Sequence, residues 1–219
     1  MKKTLITLLI MPFFTVFANA ADLSDANFTI GVGGAQYVSG VTVRETQDGP
    51  DYYGTLDSDK ESGVFADVQG YVFAEVGVDR FAVGVSYSVS DMSTPEATNT
   101  KNGSKNTVQV DFGDMLTAYA TIDLVGGFYA KAGIVDGDIM TNEVVRTSSQ
   151  SGGTVPDQDL EGTVAGIGFK HTLDTGISLR SEIMYGSYDN FSVTDTSGDT
   201  YSVSGMESLQ ANVAVAYTF

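Results

Sequence analysis

Between residues 81 and 89 the chain reads Phe-Ala-Val-Gly-Val-Ser-Tyr-Ser-Val. Phe81, Val83, Val85, Tyr87 and Val89 recur at every second position, while Ala82, Gly84, Ser86 and Ser88 occupy the alternate ones. Successive side chains of an extended strand point to opposite faces, so this period predicts a strand with one apolar face and one small or polar face. An amphipathic helix would space its apolar residues by three and four instead.

The same period recurs along the chain. Val64, Ala66, Val68, Gly70, Val72, Ala74 and Val76 alternate with Phe65, Asp67, Gln69, Tyr71, Phe73 and Glu75. Ile177, Leu179, Ile183 and Tyr185 alternate with Ser178, Arg180, Glu182 and Met184. Eight such segments are predicted, at about 27–39, 62–78, 80–91, 105–123, 127–138, 159–173, 177–190 and 205–219. Their connections alternate short and long. The short ones are Gly77 to Arg80, Asp123 to Gly127 and Leu173 to Gly176; the long ones run about 40–61, 92–104, 139–158 and 191–204. Pro50, Pro95 and Pro156 all fall in long connections, as expected of a residue that cannot donate to a ladder.

One-sided alternation of connection length is the pattern of a membrane barrel, with short turns at the periplasmic end and long loops outside. The expected fold is therefore all-β: an eight-stranded antiparallel up-and-down transmembrane barrel. The alternative is ten strands, if 139–158 or 41–61 hides a hairpin, with Thr42–Glu45 and Thr141–Arg146 as the candidate extensions.

Residues 1–20, MKKTLITLLIMPFFTVFANA, predict a cleaved signal peptide. Lys2 and Lys3 form its basic start, Leu5 to Phe17 its apolar middle, and Ala18-Asn19-Ala20 its small-residue cleavage site. The apolar run is too short to span a bilayer as a helix. Residues 21–219 then form one barrel domain, exported to the bacterial outer membrane. The whole chain carries −17, and removal of Lys2 and Lys3 takes this to −19. So acidic a chain is expected to repel nucleic acid. The absence of cysteine excludes disulfides and thiolate metal sites.

The last residues, Val213-Ala-Val-Ala-Tyr-Thr-Phe219, carry apolar side chains at every second position and end on an aromatic. This resembles the terminal strand by which bacterial outer-membrane proteins are recognised for assembly, with Val213, Val215, Tyr217 and Phe219 as the signal. Phe81, Phe128, Phe169 and Phe219 would lie at the periplasmic interface, and Tyr87 and Tyr185 towards the outer one. The segment Gly162–Tyr185 runs through a Gly-rich strand, a short turn and a strand with Leu179-Arg180-Ser181-Glu182 and a tyrosine. It resembles the penultimate hairpin of small outer-membrane barrels: the OmpA transmembrane domain, OmpX and the opacity-type, porin-like proteins. The resemblance covers the mature chain in architecture and the last three strands in motif. It implies a monomeric, non-enzymatic barrel in contact with outer-membrane lipids and the barrel-assembly machinery. Its role would be envelope integrity or surface adhesion through an extracellular ligand or surface. A small ion or solute pore is the alternative, and a lipid-modifying enzyme the third reading.

With aliphatics turned to lipid, Glu75, Lys131, Arg180 and Glu182 point inward. An eight-stranded interior is just wide enough for side chains to fill, so these four are expected to form a charge network that plugs the lumen. A gated ion path is the other reading of charges inside a membrane. Val108, Val110, Phe112, Leu116 and Ala118 are expected to face lipid. Strict alternation turns Asp114 outward with them, unless a bulge near Gly113 changes the phase.

The four long connections and their flanks hold eighteen acids against five bases. A solvated, repulsive surface explains this, with divalent-cation binding by Asp57-Ser-Asp59-Lys-Glu61 or Asp136-Gly-Asp138 as the sharper alternative. No metal or other cofactor is expected. His171, the only histidine, falls beside a short turn and lacks a nucleophile at a recognisable spacing, so no catalytic residue is assigned.

Overall fold

The computed structural model describes residues 26–46, 60–101, 104–145, 155–196 and 200–219. The predicted leader, with Ala18 and Ala20, lies outside the described residues, as do Asp57, Asp59 and Arg146.

Eleven strands form one antiparallel sheet that closes on itself. They are β1 (Asn27–Thr46), β2 (Lys60–Val78), β3 (Phe81–Ser88), β4 (Met92–Ser93), β5 (Ala97–Lys101), β6 (Ser104–Asp123), β7 (Phe128–Val145), β8 (Gln158–Thr172), β9 (Ile177–Tyr188), β10 (Phe191–Thr194) and β11 (Thr200–Thr218). Strands β3, β4 and β5 run in turn along β6, and β9 and β10 run along β11, so the described residues make eight staves. Closure comes from β1 against β11, from Thr29 opposite Thr218 to Thr46 opposite Thr200. A closed ring leaves no sheet edge unpaired, which lipid would not tolerate.

The staves reach further towards the long connections than the apolar alternation does. Thr42–Glu45 and residues 141–145, the candidate extra hairpins, lengthen β1 and β7 instead. Ladder hydrogen bonds need only backbone, so pairing continues past the point where the apolar face ends. At the short-turn end the chain reverses sharply. Asp79 (φ 54°) serves the β2–β3 turn, and Gly126 and Gly127 (φ 70° and 87°) the β6–β7 turn. Asp and Gly are the residues that enter the left-handed region most readily.

The burial is inside out relative to a soluble protein. Val64 is 76% exposed, Val213 65% and Ile183 60%, all in the outward phase. Phe65, Gln69, Phe73 and Glu75 of β2, and Ser208, Gln210 and Asn212 of β11, are buried in the lumen. Phe28, Phe81, Phe128, Phe169 and Phe219 stand outward at the short-turn end, and Tyr87 and Tyr185 stand outward further up the wall. An outward apolar band of this extent has lipid as its natural solvent.

One expectation of phase is corrected. Val110 and Phe112 face the lumen, not lipid: Phe112 is buried and stacks on Phe65 with ring centroids 5.5 Å apart. The register of β6 against β7 shifts between Gly113 and Leu116, and Asp114 sits there with φ 50°. An extra residue in one strand reverses the in–out phase beyond it. Leu116 remains outward opposite Tyr87, and Ala118 opposite Val85. Asp114 itself is exposed on the outer wall, where its carboxylate accepts a hydrogen bond from the Tyr87 hydroxyl. Tyr87→Phe should therefore lower stability in detergent slightly, because it removes the donor that the exposed Asp114 carboxylate accepts from. Urea unfolding followed by circular dichroism would read this, and no loss would mean that Asp114 is held by water alone.

Candidate functional site: the filled lumen

The lumen has two different halves. Near the short turns it is polar and charged, and towards the long connections it is apolar.

Glu75 of β2, Lys131 of β7, and Arg180 and Glu182 of β9 come together in the polar half. Arg180 Nη1 bonds Glu75 Oε1 at 2.7 Å, and Lys131 Nζ lies 3.1 Å from both oxygens of Glu182. All four side chains are nearly shut off from solvent, at 6–10% exposure. Neutral donors complete each carboxylate. The Tyr119 hydroxyl donates to Glu75 at 3.0 Å, while Glu182 accepts from Tyr129 at 2.6 Å and from Asn212 Nδ2 at 2.9 Å. Aromatic faces receive the cations: Lys131 Nζ lies 4.1 Å from the Tyr119 ring centre, and the Arg180 guanidinium 4.9 Å from that of Phe73. Buried charges persist when they are paired and hydrogen-bonded; both ion pairs of this layer are formed, while Arg180 Nε and Asn212 Oδ1 are buried without a partner.

Glycine makes the room. Gly84 and Gly133 stand opposite Tyr119 on either side, and Gly168 stands opposite Tyr129. A Cβ on Gly133 would lie 2.8 Å from Tyr119 Cβ, and one on Gly168 would overlap the Tyr129 ring. The large rings therefore lie over backbone that carries no side chain. Sequence reasoning missed Tyr119, Tyr129 and Asn212. Their signal was present as inward-phase polar or aromatic residues facing glycine on the neighbouring strand. At the short-turn mouth Lys170 pairs with Asp123 at 2.7 Å, a further contact that sequence reasoning did not find.

Next to the charged layer lies a cavity of about 40 Å³, whose lining includes Gln69, Ser88, Gln210, Lys131, Met115 and Met184. That is room for very few water molecules. Beyond it the lumen is sealed by Phe65, Phe112, Met92, Met115, Met184, Met206, Ile139, Leu160 and Tyr188, which form one buried cluster. The expected charge network thus fills only half of the interior. Unbranched methionine side chains fit the irregular space between larger groups, which suits the other half.

Val213, Val215 and Tyr217 all point outward on β11, followed by Phe219, whose amide bonds the Phe28 carbonyl at 2.8 Å. Asp136 and Asp138 lie on β7, and among the described residues no group of three or more histidines, aspartates or glutamates is arranged to hold a metal ion. His171 is exposed at the short-turn end of β8, opposite Leu179.

No family model matches the chain, and no curated protein matches its sequence. Solved structures do match. The outer-membrane protein OprG from Pseudomonas aeruginosa is 13% identical, covers 88% of this chain and 95% of its own, and superposes with a TM-score of 0.53. Neisserial surface protein A is 11% identical, covering 88% and 97%, at 0.44. The outer-membrane protease OmpT from Escherichia coli is 7% identical, covering 87% and 97%, at 0.46. The fold is that of the outer-membrane β-barrels, and none of these matches selects the OmpA–OmpX–opacity group within them. The expectation that the chain is not an enzyme is withdrawn, because a barrel fold hosts unrelated functions and does not exclude catalysis.

Proposed function

We propose that the protein resides in the bacterial outer membrane as a barrel closed to diffusing solutes. It would present its acidic long connections at the cell surface, for envelope integrity or for contact with an external surface. The observation that carries this reading is the inverted burial, with an aliphatic band outside and a lumen occupied by ion pairs and an apolar cluster, with only a cavity of about 40 Å³ beside them. Residues 1–20 would be removed after Ala20 on export, and Val213, Val215, Tyr217 and Phe219 would serve as the assembly signal. Ions crossing the lumen would have to break both buried ion pairs and then wet an apolar cluster, and hydrophobic constrictions of this kind stop conduction by dewetting.

The test is direct. The protein should fractionate with outer membranes, migrate differently in gels before and after heating, and give no steady single-channel current in planar bilayers. Recovery as a soluble periplasmic protein would overturn the location, and a large steady current would replace the closed reading with a pore. Binding of the intact protein to cells or surfaces, compared with a version whose long connections are trimmed, tests the surface role. Equal binding by both would overturn it.

A further inference from the structure

On the outer wall, five neighbouring strands (β1, β2, β3, β6 and β7) enclose an apolar groove of about 350 Å³. Phe28 and Ile30 of β1 wall it on one side, and Ile134 of β7 on the other. Its floor is built from Ala74, Ala118, Ala120 and Ala132, with Val83 and Val85 between them. Cross-strand register explains the shape. Ile30, Ala74, Val85, Ala118 and Ile134 form one lateral row, and Val76, Val83, Ala120 and Ala132 lie in the next. Large residues at both ends of a row of small ones leave a trough across the wall. The groove interrupts the aliphatic outer band, so its floor belongs to the lipid-facing surface.

Arg80 lies at the foot of the same strands. It occupies the β2–β3 turn, three residues below Val83, which is about 10 Å along a strand. Its Nε and Nη2 donate to the main-chain oxygen of Asp123 at 3.0 and 2.7 Å, which fixes the guanidinium beside the end of β6. The Asp123 carboxylate is taken by Lys170, and among the described residues no carboxylate forms an ion pair with Arg80. A fixed, exposed and unneutralised guanidinium is complementary to a phosphate.

We propose that this wall binds one phospholipid, with an acyl chain in the alanine-floored groove and its phosphate at Arg80. Two independent features select this occupant: an apolar trough open to the lipid-facing side, and an exposed cation in the turn at the foot of its strands. The proposal assumes the membrane location argued above, but its test is made in detergent and so fails or succeeds separately.

The refolded protein is mixed with dioleoyl phosphatidylglycerol in detergent, washed, and examined by native mass spectrometry. The expected result is one retained lipid per barrel. Ala118→Phe and Ala120→Phe, which fill the groove from the outside, should abolish retention. Ala211→Phe, outward on β11 and remote from the groove, should not. Arg80→Gln should lose most of the retained phosphatidylglycerol while leaving retention of dioleoylglycerol, which has no phosphate, unchanged. Heat-modifiable gel migration checks that each variant has folded, and two separate groove variants guard against one failing. No retention by the wild type, or equal retention by the wild type and both groove variants, overturns the site. Undiminished phosphatidylglycerol retention by Arg80→Gln overturns the phosphate contact.

Discussion

Arg180→Ala should lower the unfolding free energy in detergent or lipid vesicles by about 3–5 kcal/mol, because it strands the buried Glu75 carboxylate. In the native barrel that carboxylate has two partners, the Arg180 guanidinium at 2.7 Å and the Tyr119 hydroxyl at 3.0 Å. Removing the cation leaves a charge with one neutral donor in a narrow interior, and moves the cation off the Phe73 ring as well. The loss is one of compensation, so taking away the second charge should restore much of it. Arg180→Met combined with Glu75→Gln should lie much closer to the wild type than Arg180→Ala, since replacing a buried pair by packed neutral groups is often nearly neutral. Arg44→Ala, at an exposed position on β1, is the control and should change little. Equal, negligible losses from Arg180→Ala and Arg44→Ala would mean that Arg180 is solvated and that the inward phase of β9 is wrong.

Phe112→Ala should cost about 3–5 kcal/mol, the range for truncating a large buried aromatic. Phe112 lies in the apolar half of the lumen, 4% exposed and stacked on Phe65 at an interplanar angle of 7°. The surrounding strands are held by a closed hydrogen-bonded ring and cannot collapse into the space left behind. Phe128→Ala, on the outer wall at the short-turn end and 52% exposed, gives up packing against Phe169 and lipid but opens no internal cavity. Its loss should be clearly smaller. Urea titrations of the two variants side by side measure the difference. A Phe112 loss no greater than that of Phe128 would return Phe112 to the lipid face and remove the phase reversal at the bulge.

Most of the fold was legible in the chain, because the relevant physics is local. Alternation at positions 81–89, 64–76, 177–185 and 209–219 is a property of consecutive side chains on a pleated backbone, so it reads the same in the sequence and in the barrel. The alternation of short and long connections, and the exclusion of proline from the strands, are likewise visible without coordinates. The inward phase of Glu75, Lys131, Arg180 and Glu182 followed from the cost of turning charges to lipid.

What lay beyond the sequence depends on contacts between distant strands. The meeting of Arg180 with Glu75, 105 positions away, requires the ring to close with β1 against β11 in one register. The reversal at Gly113–Leu116 needs one inserted residue, and alternation alone reads the same on either side of a bulge. The split of the lumen into a charged and an apolar half arises because the stagger of the staves brings Phe65, Phe112, Met184 and Met206 to one level. The groove above Arg80 arises because alanines from β2, β6 and β7 fall in adjacent lateral rows. Each of these is set by inter-strand register, which no single strand encodes and which the closed hydrogen-bond ladder imposes on all eight staves together.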